Sequence, residues 1–362
     1  MKFDVVIVGA GVIGLAIARV FAKNNFKTLL VEKNKSFGKE TSSRNSGVIH
    51  AGIYYPPDSL KSKFCKEGNK LLYQYLDKKK IFYKKCGKLI ISSNKEEDLL
   101  IKSLMKNAKK SGTNLVYKDK YQTSELEPQL CCYSSIFSPN TGVVDVHDLM
   151  FNFETDIHIY KGMIVYNTEV DKIFPDDHSI NFTIKNAKKK FKTKFLINST
   201  GLNSHIVARK ILDYNKKLIP KIIYYKGSYF KLSGKSPFNH LIYPVPKINS
   251  LGIHSTININ NQTIFGPDEE KVNNINYFLD ERKKKFFIDQ IKKYWPDITK
   301  NKLEADYCGI RTTSENNDFV IQSKQNHNIQ GLINLFGINS PGLTSSMAIA
   351  DYIFKNTINQ KY

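Results

Sequence analysis

The feature that most constrains this chain is a glycine triplet, Gly9-Ala-Gly11-Val-Ile-Gly14, set between the apolar run Phe3–Val8 and the helix-like segment Leu15–Asn24. A second apolar run, Thr28-Leu-Leu-Val31, follows and ends in the acid Glu32. Strand, glycine turn, helix, strand and terminal acid is the order of a βαβ unit that binds a dinucleotide. The three glycines serve different ends. Gly9 allows the tight turn, Gly11 leaves room for a pyrophosphate against the backbone, and Gly14 lets helix and strand pack closely. The amides that open the helix then face an anion. Glu32 can accept hydrogen bonds from both hydroxyls of an adenosine ribose and would repel a 2′-phosphate, which favours FAD or NAD over NADP.

The competing reading of the same residues is a secretion signal, because Lys2 precedes the uncharged run Val5–Ala18 and Ala16-Ile-Ala18 imitates a cleavage site. Asp4 and the spaced glycines argue against it. The run is also shorter than the ~20 residues a bilayer span needs, so a soluble or peripheral protein is expected. A length of 362 residues with 41% apolar content suits two domains. The net charge of +22 is compatible with a nucleic acid, an anionic membrane surface or an acidic substrate. The lysines are scattered, however, often beside Asn and Ile, which points to compositional bias. Short runs such as Lys78–Lys80, Lys188–Lys190 and Lys283–Lys285 read as solvated faces, and no signature of nucleic-acid binding accompanies them. Cys65, Cys86, Cys131, Cys132 and Cys308 form no CxxC and no metal-ligand spacing, so they read as reduced, cytosolic thiols with no metal site. A dithiol reductase would need a redox-active cysteine pair and a second glycine motif, and the sequence has neither.

Downstream, a loop over Ser36–Pro57 leads to a helix expected at Leu60–Lys78, then a strand at Gly87–Ser92 and a helix at Glu96–Ser111. Strands are expected at Met163–Ile173, Ser179–Lys185 and Phe191–Asn198, the last ending in Ser199-Thr200-Gly201. From Pro220 to Gly266 the pattern is several short strands, suited to an antiparallel sheet in a second domain. A helix Glu281–Tyr294, strands near Tyr307–Thr312, Phe319–Gln322 and Leu332–Phe336, and a last helix Thr344–Lys355 complete the expected order. The nucleotide domain is thus assembled from separated pieces.

Two further clusters carry chemistry. Thr41-Ser-Ser-Arg44-Asn45-Ser46-Gly47-Val-Ile-His50-Ala-Gly52-Ile-Tyr54-Tyr55 offers hydroxyls, Asn and the amides of Gly47 and Gly52 to the phosphates and ring edge of a cofactor. Phe336-Gly337-Ile-Asn339-Ser340-Pro341-Gly342-Leu-Thr344 opens the last helix, where Thr344 is expected as the cap and free N–H groups would stabilise a negative ring.

At these residues the chain resembles the FAD-dependent oxidoreductases of the D-amino-acid oxidase type, and among them the L-2-hydroxyglutarate dehydrogenase/oxidase group. The resemblance rests on Asn45-Ser-Gly-Val-Ile-His-Ala-Gly-Ile-Tyr-Tyr55, Ser59-Leu-Lys61, Cys86-Gly-Lys-Leu89, Thr141-Gly-Val-Val-Asp145, Lys226-Gly-Ser-Tyr229, Ile242-Tyr-Pro-Val-Pro246, Leu251-Gly-Ile-His254, Phe265-Gly-Pro267, Gly309-Ile-Arg311 and Ser340-Pro341. It implies an α/β fold with a Rossmann-like FAD-binding domain in discontinuous segments, 1–80, 141–215 and 306–362, and an antiparallel-sheet substrate domain in 81–140 and 216–305. It also implies that Gly9, Gly11, Gly14, Glu32 and Lys33 hold the ADP half, with Val170, Thr200 and Gly201 close to it. Ser43, Arg44, Asn45, Ser46 and Val48 would line the pyrophosphate and flavin, while Gly337, Gly342, Leu343 and Thr344 approach the isoalloxazine. Arg311 suits a substrate carboxylate, and Tyr54, Tyr229 and Tyr243 are the other substrate-side candidates. The substrate side departs from the family pattern: Arg311 is followed by Thr312-Thr313, the C-terminal motif reads Ser340-Pro-Gly-Leu-Thr-Ser345, and the segment after Gly266-Pro267 is reduced to Asp268–Asn276.

The implied reaction is oxidation of a small 2-hydroxy acid, L-2-hydroxyglutarate to 2-oxoglutarate, by hydride transfer to flavin N5, with His50 or His254 as base and Arg311 fixing the carboxylate. An amine or amino-acid oxidase of the same fold, acting on a C–N bond, is the alternative. A non-enzymatic basic scaffold for a membrane or nucleic acid is the third reading. Partners are then a carboxylic acid and an acceptor, oxygen or a quinone. The location implied is the cytoplasm, with a quinone drawing the protein to the inner face of a membrane.

Overall fold

The structure is a computed structural model that describes residues 2–187, 189–246 and 252–359. Lys188 of the run Lys188–Lys190 and Leu251 of the motif Leu251-Gly-Ile-His254 lie outside the described residues. The first apolar run forms the strand Lys2–Val8, bonded in parallel to Thr28–Val31 on one side and to Lys190–Asn198 on the other. Met163–Val165 extends the sheet beyond Thr28–Val31, and Leu332–Phe336 beyond the end of Lys190–Asn198, both in parallel. Val170–Asp176 and Ser179–Ile184 add an antiparallel meander, and Val320–Gln322 closes an eight-stranded sheet.

The glycine turn behaves as its chemistry demands. Gly9 has φ +102, a left-handed conformation that a side chain resists. A Cβ on Gly14 would stand 1.9 Å from the Gly9 carbonyl oxygen, so only glycine lets the helix Val12–Lys23 sit this close to its strand. That helix is apolar on nearly every face and buried accordingly, between the sheet and the helices Val146–Ile159 and Gly342–Asn359. Ile7, Leu15, Phe21, Leu72, Phe153 and Ile349 meet in the core they share with Leu60–Lys79. The opposite face buries Val6, Phe182, Leu196 and Val207 under the short helix Ser204–Arg209.

A second, nine-stranded sheet stands across from the first. Its spine is one long antiparallel pair, Ile222–Leu232 with Leu303–Ser314, in place of the short strands expected at the start of the 220–266 region. Strand Leu303–Ser314 runs through position 305/306 and stays in this sheet along its length. The sheet is antiparallel except where Leu241–Pro244 lies parallel to Lys88–Ser92. Lys95–Lys110 and Lys284–Ile291 cover it.

Two expected elements divide. Met163–Ile173 is two strands, interrupted at Asn167, whose left-handed φ of 51 breaks the extended chain. Glu281–Tyr294 is a 3-10 turn, Glu281–Lys283, followed by a helix that ends at Ile291. The helix Val146–Ile159 was not expected, although Asp145 caps it by accepting from the Asp148 amide. The hairpin of Val116–Asp119 with Ser134–Ser138, and the helix Lys120–Leu126 inside it, were also missed. Among the described residues no helix is long and apolar enough to cross a membrane, and all five cysteines are unbridged.

Candidate cofactor and substrate cavity

A cavity of about 1900 Å³ lies between the two sheets. Small-molecule pockets run to roughly 300–1,000 Å³, so this one has room for a dinucleotide and a small acid together. The first sheet supplies one end, through Gly9, Gly11, Glu32, Val170, Thr200 and Gly201. The helix Val12–Lys23 opens there with no side-chain cap at Gly11, so its N-terminal dipole faces the cavity. Glu32 is buried at its strand end, where Oε2 accepts from the Ala10 amide at 2.7 Å and Oε1 from the Asn34 amide and side chain at 2.8 Å. Lys33 borders the cavity but is exposed and pairs with Glu40 at 2.7 Å.

The middle of the wall comes from the loop that follows the second strand and from the approach to the last helix. Arg44, Asn45, Ser46, Val48, Gly342 and Leu343 line it. Four expected residues do not. Gly14 is sealed between helix and strand, Ser43 turns its hydroxyl to the Glu40 carbonyl at 3.3 Å, and Gly337 and Thr344 lie behind the surface. Thr344 is no cap either, since the helix begins at Gly342; its hydroxyl accepts from the His50 amide at 2.9 Å and so ties the two clusters together. The Gly47 amide is spent on Asn45 Oδ1 at 2.8 Å, and Gly52 lies off the cavity wall with its backbone bonded to the Cys65 thiol, so neither offers an amide to a cofactor. Ser42 was missed: its Oγ accepts from the Val12 amide at 3.0 Å on the cavity wall, and nothing in a serine-rich run singled it out.

At the far end the second sheet adds side chains from segments distant in sequence. His50 is pinned by its backbone, with the amide on Thr344 and the carbonyl accepting from Asn69 Nδ2 at 2.9 Å; its Nε2 lies 3.2 Å from Ser340 Oγ. Burial, then the positive charges of Lys88 and His254, push its pKa down to about 3, so the ring is neutral near pH 7 with a lone pair to offer. His254 stacks on Tyr243 at 3.7 Å, and Tyr229 on Tyr307 at 4.5 Å. Burial raises the pKa of Tyr54, Tyr229 and Tyr243, which stay neutral phenols. Arg311 reaches the cavity from Leu303–Ser314, and its guanidinium is paired with Glu269, a cavity residue the sequence did not reveal. Lys61 was also missed. It is buried on the wall, donates to Asn317 Oδ1 at 3.2 Å, and is held down to about 8 by burial, with Asp318 opposing the shift.

Residues 4–355 match the family model of FAD dependent oxidoreductases, DAO. The chain belongs to this family. It is 35% identical to the mitochondrial L-2-hydroxyglutarate dehydrogenase of Arabidopsis thaliana, over 97% of this chain and 83% of that one. It is 32% identical to the mitochondrial protein of the same name from Caenorhabditis elegans, covering 99% and 94%, and 29% identical to L-2-hydroxyglutarate dehydrogenase of Indibacter alkaliphilus, covering 96% and 97%. Among solved structures it superposes on FAD-bound L-alpha-glycerophosphate oxidase from Mycoplasma pneumoniae with a TM-score of 0.91 at 24% identity, covering 100% and 98% of the two chains. Glycine oxidase from Geobacillus kaustophilus gives 0.86 at 16% identity, covering 100% and 96%. The chain is therefore an FAD-dependent oxidoreductase of the DAO fold.

The residues present suit that cofactor. Near the N-terminus of that helix, the buried Arg44 Nε and Asn339 Oδ1 have no hydrogen-bond partner among the described residues, and both side chains belong to the cavity wall. A donor and an acceptor left open in this way cost roughly 1–3 kcal/mol each unless a ligand satisfies them.

Proposed function

We propose that the chain oxidises a small 2-hydroxy acid, L-2-hydroxyglutarate, to its 2-oxo acid. The observation that carries this reading is one cavity wall that offers the neutral His50, the His254 ring, three phenols and the Arg311 guanidinium together. The relatives named L-2-hydroxyglutarate dehydrogenase over nearly the whole chain support it. FAD, when bound, supplies the two-electron acceptor.

In this reading segments 1–80, 141–215 and 306–362, apart from the second-sheet stretch 306–314, serve chiefly the cofactor and lend His50, Tyr54 and Arg311 to the substrate, while segments 81–140 and 216–305 serve the substrate. Gly9, Gly11, Glu32, Val170 and Thr200 hold the adenylate half, while Arg44, Asn45, Ser46, Val48, Gly342 and Leu343 surround the ring. Arg311 takes the substrate carboxylate through its planar fork in exchange for Glu269. Tyr54, Tyr229 and Tyr243 donate hydroxyl hydrogen bonds to the remaining oxygens. His50, fixed by Thr344 and Asn69, accepts the hydroxyl proton as the C–H bond is oxidised. His254 is the second candidate, with its ring committed to the Tyr243 stack.

The alternative, oxidation of an amine or amino acid, finds support in Glu269, a carboxylate that could take an ammonium. Against it, Arg311, Lys61 and the buried Lys88 make the surroundings positive, which favours an anion without a cationic group. The acceptor that reoxidises the enzyme is oxygen or a quinone, and a quinone would use the positive charge to bring the protein to an anionic membrane surface. Anaerobic mixing with hydroxy acids and amino acids separately, followed by visible absorbance, tests the assignment: bleaching by L-2-hydroxyglutarate supports it, and bleaching by amino acids alone removes it.

A further inference from the structure

One buried cation has entered so far only through its charge. Lys88 opens the strand Lys88–Ser92, between Leu241–Pro244 and Ser134–Ser138, and is 1% exposed. Lysine is almost never buried unless paired, yet no carboxylate among the described residues contributes to its environment. Its ammonium instead sits between two aromatic rings, 4.6 Å from the centre of Tyr54 and 4.7 Å from that of Tyr243. Both rings line the cavity in front of it, whereas Lys88 itself stands one layer behind.

We propose that Lys88 is a positioning residue: clamped between Tyr54 and Tyr243, it sets the angle of both phenols and gives this wall of the cavity a positive potential that draws in small acids as anions. Three physical points support the proposal. A desolvated ammonium on a ring face is attracted by the ring quadrupole, and here it holds two side chains that have only one flexible torsion pair each. A cation beneath a phenol also withdraws electron density and strengthens its hydroxyl as a donor toward a carboxylate. Finally, the charge acts through a dry layer, where it is screened far less than in water.

The groups that face Lys88 fix how it responds to pH. They are His50, Tyr54 and Tyr55 from the loop, Cys65 from the helix Leu60–Lys79, and Tyr243 and His254 from across the sheet. The His50 ring is neutral and the three phenols are raised by burial, as is the Cys65 thiol, to about 12, so these five groups keep their state between pH 6 and 8. Lys88 is itself held down to about 7 by burial, with Cys65 opposing weakly. It is therefore charged below that pH and loses its proton above it, so anion affinity falls as pH rises through 7. Lys61, held near 8, adds a second and later step.

The inference rests on the assignment of a 2-hydroxy acid, and the test keeps the two apart. FAD-loaded wild type, Lys88→Met and Lys88→Arg are titrated with 2-oxoglutarate by calorimetry at several pH values from 6 to 8, and KM and kcat are measured with L-2-hydroxyglutarate. Wild type is expected to bind 2-oxoglutarate several-fold more weakly at pH 8 than at pH 6. Lys88→Met should keep the yellow spectrum, bind about tenfold more weakly at pH 6, lose the step near 7, and raise KM about tenfold with kcat within about threefold of wild type. Lys88→Arg, which keeps the charge, should recover most of the affinity. A wild-type affinity that does not change between pH 6 and 8 overturns the proposal whether or not the variants fold, as does a folded Lys88→Met with wild-type affinity. If wild type ignores both acids, the substrate assignment has failed instead, and the same titration is run with whichever acid bleaches the flavin.

Discussion

The two ends of the cavity are built by opposite means. At the first-sheet end the working groups are mostly backbone: a helix N-terminus whose first amide meets only Ser42 Oγ, and glycines that let chain approach chain, joined by one side-chain carboxylate locked by three N–H groups. At the second-sheet end the working groups are side chains, His50, Tyr54, Tyr229, Tyr243, His254 and Arg311, delivered by five separate stretches of chain and oriented by stacking and ion pairing. Backbone geometry tolerates almost no substitution, while side-chain geometry can be retuned one residue at a time. The first end therefore suits the part of the chemistry that every member of the fold shares, and the second the part that distinguishes them.

That contrast makes graded predictions. The largest effect is expected at the backbone end. Gly14→Ala places a methyl 1.9 Å from the Gly9 carbonyl, forcing helix and strand apart, so the purified protein should lose its FAD and its yellow colour altogether. A Gly14→Ala variant that stays yellow with wild-type melting behaviour would break the comparison. Next comes Arg311→Ala, which removes a charge-assisted fork and should lower kcat/KM by about 100- to 1000-fold, chiefly through KM. Wild-type kcat/KM in that variant would remove the arginine from substrate binding.

His50→Ala should slow single-turnover flavin reduction by about 100-fold or more, while His254→Ala, which loses a stacking partner of Tyr243, should slow it by roughly tenfold. Equal, unchanged rates in both would leave the proton with another group. Because burial holds the His50 pKa down to about 3, the imidazole remains an unprotonated base well below neutrality. No loss of kcat/KM with an inflection near 6.5 is expected as pH falls; such an inflection would mean His50 is solvated. The smallest effect belongs to Glu269→Gln. It frees Arg311 from its resident carboxylate and should lower KM for the acid a few-fold, whereas a raised KM would mean that Glu269 helps to shape the bound state.

The same contrast explains what could be read from the sequence. The glycine turn was legible because Gly9, Gly11, Gly14 and Glu32 lie within one local unit whose spacing has few other uses. His50 was legible from the dense loop cluster around it, whereas Arg311 and His254 were legible only through the family resemblance, since no local pattern joins them. Lys88 and Lys61 went unread as site residues because a lysine's burial is decided by strands and helices from elsewhere in the chain. Glu269 was invisible for a related reason: it meets Arg311 only because Ile222–Leu232 pairs with both neighbouring strands. Thr344 was misread as a cap because the helix starts two residues earlier, and its real partner, the His50 amide, is far away in sequence.

The most direct measurement is anaerobic addition of L-2-hydroxyglutarate to the purified yellow protein while its visible absorbance is followed. Rapid, saturable bleaching with release of 2-oxoglutarate is expected. A flavin that stays oxidised with every hydroxy acid, yet bleaches with an amino acid, would contradict it.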